Sequence, residues 1–114
     1  APGMKFSVEE LRVRPGSRVR LVFNNTDDML HNLVVTLPGR GDAVGQAAIA
    51  LGLDGPERHY VPETRDVVHH TALLQPGGSD TIYFTAPTEP GDYTYVCTFP
   101  GHWRVMQGTM KVAD

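Results

Sequence analysis

An all-β sandwich or barrel with one helical excursion is the fold that this chain of 114 residues predicts. Three observations carry the prediction. Apolar residues alternate with period two in five short runs, Pro-Gly pairs punctuate the chain, and a single segment shows helical spacing instead. The composition agrees: 40% hydrophobic and 20% charged residues suit a globular domain. The length suffices to bury a core without disulfides or a structural metal.

The first run, "RVRLVF", sets Val19, Leu21 and Phe23 on one face and Arg18, Arg20 and Val22 on the other. "HNLVVTL" aligns His31, Leu33, Val35 and Leu37. "TIYFT" pairs Ile82 with Phe84, "DYTYVC" aligns Tyr93, Tyr95 and Cys97, and "GTMKVAD" sets Met110 beside Val112. The turns "RPGS", "QPGGSD" and "EPGD" supply a proline that presets φ and a glycine that tolerates positive φ, so the strands are expected to pair antiparallel. Residues 38–72 form a long insertion, and connections of that length usually hold structure of their own. There, "DAVGQAAIALGL" places Val44, Ala47, Ala48 and Leu51 at helical spacing despite Gly45, which predicts one short helix lying against the sandwich.

Charge and length exclude several classes of function. The net charge of −3 argues against a general nucleic-acid binder. No stretch reaches the apolar length of a membrane span. The opening "APGMKFSVEE" lacks the basic start and apolar centre of a secretory leader. One cysteine permits no internal disulfide.

The chemistry concentrates in "CTFPGHWRVM", which brings the single thiol, Cys97, close to His102 and Met106. Cys97 ends a strand, "TFPG" turns the chain, and the imidazole and thioether can fold back toward the sulfur. Such soft to borderline donors suit copper, whereas magnesium and calcium prefer oxygen. A trigonal copper site needs a second imidazole, and His31, at the mouth of a strand directly after the polar loop "NNTDDML", is the best placed. His59, His69 and His70 lie in or beside the insertion and are weaker candidates; His69 and His70 are expected to remain solvated or capped near a turn. Plainer readings exist. A lone buried cysteine is usually a small inert hydrophobe. A cysteine–histidine nucleophile would need a residue to orient His102, and none is evident. Zinc seldom uses methionine.

"CTFPGH" with methionine four residues beyond the histidine, together with "HN" opening a strand, resembles the cupredoxins, the type 1 blue copper proteins, and most closely their azurin branch. The stretches "GLDGPERHYV", "HHTALLQPGGSDTIYF", "GDYTYVCTFPGH" and "QGTMKV" extend that likeness over residues 4 to 113. Auracyanins share much of it, with their methionine typically one residue further from the histidine. The resemblance implies a Greek-key sandwich of the cupredoxin type and one type 1 copper per chain, held by His31, Cys97 and His102 with Met106 axial. It implies that Asn32 ties the two ligand segments together through Thr98, and that the N–H of Phe99 hydrogen-bonds the Cys97 sulfur. Met29, Ile49, Phe99, Pro100 and Val105 would form an apolar rim around His102, for brief docking with cytochromes or copper enzymes.

The chain departs from the azurin pattern at three places. Leu30 stands where azurins carry a glycine whose carbonyl approaches copper, so Leu30 is not assigned as a ligand. The azurin disulfide and an opening stretch for its first strand are missing, which favours a trimmed chain or one domain, 1–114, of a larger protein. Trp103 replaces a small polar residue. The implied function is one-electron transfer by a monomer that is not an enzyme, working in the periplasm or outside the cell. The competing readings are an electron-relay domain of a larger copper or haem oxidoreductase, and a copper-storage or delivery module.

Overall fold

The computed structural model describes residues 9–26, 29–99 and 106–113. Within them lie seven strands: β1 (Glu10–Val13), β2 (Arg18–Asn24), β3 (Val34–Thr36), β4 (Val67–His70), β5 (Ser79–Thr85), β6 (Gly91–Val96) and β7 (Gln107–Val112). One helix, α1 (Gly41–Ile49), and two 3₁₀ turns, Gly52–Asp54 and Pro56–Arg58, fall between β3 and β4. The strands form a five-stranded sheet in the order β1-β7-β6-β3-β4 and a two-stranded sheet β2-β5.

The alternation in β2 and β5 has the physical result that alternation predicts. Leu21, Phe23 and Phe84 turn inward, and β2 pairs antiparallel with β5, Leu21 opposite Ile82. They pack against Leu33, Val35, Tyr93, Tyr95, Cys97, Met106, Met110 and Val112 of the larger sheet. Each such fully buried apolar side chain contributes roughly 1.5–3 kcal/mol relative to exposure. The sulfur of Cys97 therefore sits inside the main core, not on a surface.

The large sheet is covered on its second face as well. Val34 and Val96 pack there with Val44 of α1 and with Val61. A strand covered on both faces loses the alternating pattern, and residues 31–36 are buried without interruption. Helix α1 buries Gly41, Val44, Gly45 and Ala48, while Asp42 in its first turn favours the positive end of its dipole. Its start lies close to β6: a Cβ added at Gly41 would stand 3.1 Å from Cγ2 of Thr94 and 3.4 Å from Cγ1 of Val96. That closeness is why a glycine opens the helix.

Three expectations need correction. Pairing is not wholly antiparallel, because β1 runs parallel to β7, with Leu11 opposite Met110. β1 itself, four residues long, is too short for its alternation to stand out beside the turn that follows it. The run beginning at His31 is not strand throughout: His31 makes an isolated bridge to Leu74, and regular pairing starts at Val34. The insertion holds more than a helix, since β4 closes it and pairs with β3 through a register shift between Val35 and Thr36.

β7 carries one small residue for a steric reason. Gly108 stands opposite Tyr95, whose ring occupies the space that any Cβ at 108 would need. Gly108→Ala is expected to lower stability by about 1–3 kcal/mol, the usual range for overpacking a core. Urea denaturation measures this, and an unchanged midpoint would show that the Tyr95 ring moves aside freely.

Candidate metal centre

The centre is built where the end of β6, the start of β7 and the segment before β3 meet. His31, Cys97 and Met106 are all 0% exposed. Cys97 Sγ lies 3.7 Å from His31 Nδ1. The Cys97 N–H donates to the Met106 carbonyl at 3.1 Å, so the loop between them starts and closes on one backbone hydrogen bond. On the far side, His31 is held in both directions by Leu74: the His31 N–H donates to the Leu74 carbonyl at 3.2 Å, and the Leu74 N–H donates back at 2.8 Å.

Side-chain bonds lock these segments together. The Asn32 amide nitrogen donates to Thr98 Oγ1, and the Thr98 N–H donates to Asn32 Oδ1, each at 2.8 Å. Asn32 also donates to the His59 carbonyl at 2.8 Å, and the Thr98 hydroxyl donates to the Tyr60 carbonyl at 2.6 Å. Asn32 and Thr98 are fully buried, and among the described residues every buried side-chain polar atom has a partner. Losing one partner in such a dry network would leave the other to bear its full desolvation cost.

Two contributors carried no clear mark in the sequence. Asn25 donates through its side chain to the carbonyls of Met29, at 2.8 Å, and Leu74, at 3.0 Å. It therefore holds the loop ahead of His31. Its backbone exchanges hydrogen bonds with Gly77 and Gly78. Thr71 exchanges bonds with Leu33: its N–H donates to the Leu33 carbonyl at 2.9 Å, and its Oγ1 accepts the Leu33 N–H at 3.0 Å. A buried Asn and Thr beside polar turns were the available signal, but such residues are ordinary turn formers too.

The remaining candidates divide by location. His102, Pro100 and Val105 lie outside the described residues, as does Trp103. Met29 and Ile49 are exposed, at 41% and 50%. Phe99 is half-buried and meets the Tyr60 ring edge-on, centroids 5.3 Å apart. His69, expected to be solvated or capped near a turn, is half-buried in a strand. It lies on β4, stacked on Phe84 at 4.3 Å, and burial, with the neighbouring His70 charge, lowers its pKa. His70 is exposed, with Nδ1 2.9 Å from the Thr71 carbonyl. His59 is exposed and accepts the Leu73 N–H on Nδ1 at 3.1 Å.

The donor set has a chemical preference. Among the described residues a thiol, an imidazole and a thioether gather without a carboxylate, all three side chains buried from solvent. Among the described residues no three His, Cys, Asp or Glu side chains cluster. Soft sulfur donors with imidazole fit copper and leave hard cations without ligands. In the absence of metal the thiol resists ionisation: burial pushes its pKa from 9.0 up to about 11, although the backbone N–H groups of Asn32 and Phe99 hydrogen-bond the sulfur and work against the rise.

The model for copper-binding proteins of the plastocyanin/azurin family matches residues 1–113. Auracyanin-A of Chloroflexus aurantiacus is 32% identical over 111 residues, which are 96% of this chain and 67% of the relative. Azurin of Bordetella pertussis is 42% identical over 88 residues, covering 75% of this chain and 57% of the relative. The chain thus spans between about half and two thirds of the length of such relatives. Among solved structures, reduced auracyanin from Roseiflexus castenholzii superposes with a TM-score of 0.86 at 34% identity, over 97% of this chain and 89% of that one.

The thiol makes the metal-free protein sensitive to alkali. The folded chain favours the protonated thiol, whereas the unfolded thiol ionises near 9.0, so this stabilisation is complete below pH 9 and is lost as pH rises through about 11. A shift of that size corresponds to about 2–3 kcal/mol. Urea unfolding of metal-free protein across pH 8–11 should show this loss, and Cys97→Ala should remove it. The same slope in the variant would place its origin elsewhere.

Proposed function

The chain belongs to the plastocyanin/azurin family of copper-binding proteins, and from that premise we propose that it carries one electron at a time on a single type 1 copper. Residues 1–114 act as one cupredoxin domain. The observation that carries this reading is the buried meeting of Cys97, His31 and Met106, three donors of the type that copper prefers. His31, Cys97 and Met106 would hold the copper through an imidazole nitrogen, a thiolate and a thioether. His102 completes the set by its place in the "CTFPGH" motif.

When bound, copper supplies the redox chemistry by exchanging one electron between its two oxidation states. The protein's own residues set the conditions for that exchange. Cys97 binds as the thiolate, giving up the proton that burial otherwise retains. The N–H groups of Asn32 and Phe99 draw electron density from the sulfur and so tune the potential. The Asn32–Thr98 pair fixes the segments bearing His31 and Cys97 relative to each other, so the donors need little rearrangement when the charge changes. The surrounding core, with Leu33, Leu74, Tyr95 and Met110, keeps water away.

Access for electrons lies at the apolar rim. Exposed Met29 and Ile49 with half-buried Phe99 suit a brief, small contact with a redox partner such as a cytochrome or copper enzyme. Pro100 and Val105 are assigned to the same rim by the family resemblance. The protein acts as a monomeric carrier rather than an enzyme, in the periplasm or outside the cell, as the family resemblance implies.

Two measurements test the assignment. Cys97→Ser should abolish the intense blue absorption of the copper-loaded protein, because that colour arises from charge transfer between thiolate and copper; a variant that stays blue would refute the role of Cys97. Met106→Gln should retain copper but lower the reduction potential, since a harder oxygen donor favours Cu(II). A potential equal to that of the native protein in direct electrochemistry would remove Met106 from the site.

A further inference from the structure

One two-residue stretch outside the ligand set reaches both ligand-bearing segments. Among the described residues His59 and Tyr60 are the non-glycine residues with positive φ, at 55° and 57°. Residues with side chains rarely adopt this left-handed conformation, and it persists only where the surroundings over-determine it. Here the surroundings include four hydrogen bonds, one of them local, from the Tyr60 N–H to the Gly55 carbonyl at 2.8 Å, and three to other segments. The His59 carbonyl accepts from the Asn32 amide at 2.8 Å, the Tyr60 carbonyl accepts from the Thr98 hydroxyl at 2.6 Å, and His59 Nδ1 accepts the Leu73 N–H at 3.1 Å.

We propose that His59 is a positioning residue for His31, holding the chain on both sides of it at once. The inference rests on the assignment of His31 and Cys97 as copper ligands above. Through its carbonyl, His59 grips Asn32, the residue next to His31 and the partner of Thr98 beside Cys97. Through its ring it grips Leu73, the neighbour of Leu74, which exchanges both backbone hydrogen bonds with His31. The left-handed backbone brings the two carbonyls of 59 and 60 to the Asn32–Thr98 pair while the ring reaches Leu73. The ring is exposed, so the core does not require it for packing. What it supplies is an acceptor: Nδ1 must be unprotonated to receive the Leu73 N–H, with the ring proton on Nε2.

Gly55 supports the arrangement from below. Its missing side chain makes room for the Tyr60 ring, which in turn lies edge-on against Phe99. The loop 55–60 therefore touches the neighbours of both ligands and neither ligand itself in the bonds described. Its action on the site would be to restrict His31, not to donate to the metal.

A graded series separates the acceptor from the backbone. His59→Gly keeps the left-handed conformation and the carbonyl but removes the ring. His59→Asn tolerates the same conformation and places an amide oxygen where Nδ1 stands. Amide hydrogen exchange at His31 and Leu74 is measured in metal-free protein, and copper release to a chelator is measured in loaded protein. His59→Gly should speed both by roughly five- to tenfold, the loss of about one hydrogen bond, with His59→Asn within about twofold of native. Native-like exchange at His31 and Leu74 in His59→Gly overturns the proposal, as does a His59→Asn protein as loose as His59→Gly. Should His59→Gly not be recovered folded, His59→Gln, whose oxygen lies one bond further out, replaces it, and equal exchange in Gln and Asn proteins likewise overturns the proposal. A native protein that never turns blue on addition of copper would refute the ligand assignment, while the metal-free exchange ratios still decide whether His59 positions His31.

Discussion

The reciprocal pair between Asn32 and Thr98 is the constraint on which the rest of the site depends. Cys97 comes at the end of β6, and His31 comes from the irregular stretch before β3, so no single strand sets their separation. Two hydrogen bonds of 2.8 Å between the residues immediately following each ligand do so instead. Because both partners are fully buried, water cannot replace either bond at low cost. Neither bond uses an atom of the candidate ligands' side chains, so the pair can hold the two segments whether or not copper is bound.

That organisation works against the ionisation of the thiol. The same core burial raises the Cys97 pKa to about 11, and the backbone N–H groups of Asn32 and Phe99 work against the rise. A site built this way favours a ligand that replaces the proton and stabilises the thiolate strongly. Copper would do so, bound by the thiolate together with imidazole and thioether donors. The burial of the thiol follows from one structural choice, the placing of the sulfur inside the sandwich core.

The fold itself divides the labour between its sheets. The β2–β5 pair closes the core opposite the larger sheet, while β3 and β6 are covered by α1 on their outer face. The candidate ligands described sit at one end of these two strands.

Much of this was legible in the residues. Alternation named the inward faces of β2, β5, β6 and β7 because half-buried strands must alternate, and the close sequence of Cys97, His102 and Met106 pointed to metal chemistry because few other uses gather those donors. What the chain could not announce was long-range. β1 finds a parallel partner in β7, almost a hundred residues away, and four residues of weak alternation do not reveal it. His31 is clamped by Leu74, and Asn25, Thr71, His59 and Tyr60 become parts of the site through bonds between segments 27 to 66 residues apart or through backbone carbonyls that every residue possesses. Local pattern determined which residues could bind a metal and which faces are buried. Only the tertiary structure decided which ordinary asparagines, threonines and loop carbonyls hold those donors still, because a hydrogen bond depends on where two chain segments meet and not on what either one spells.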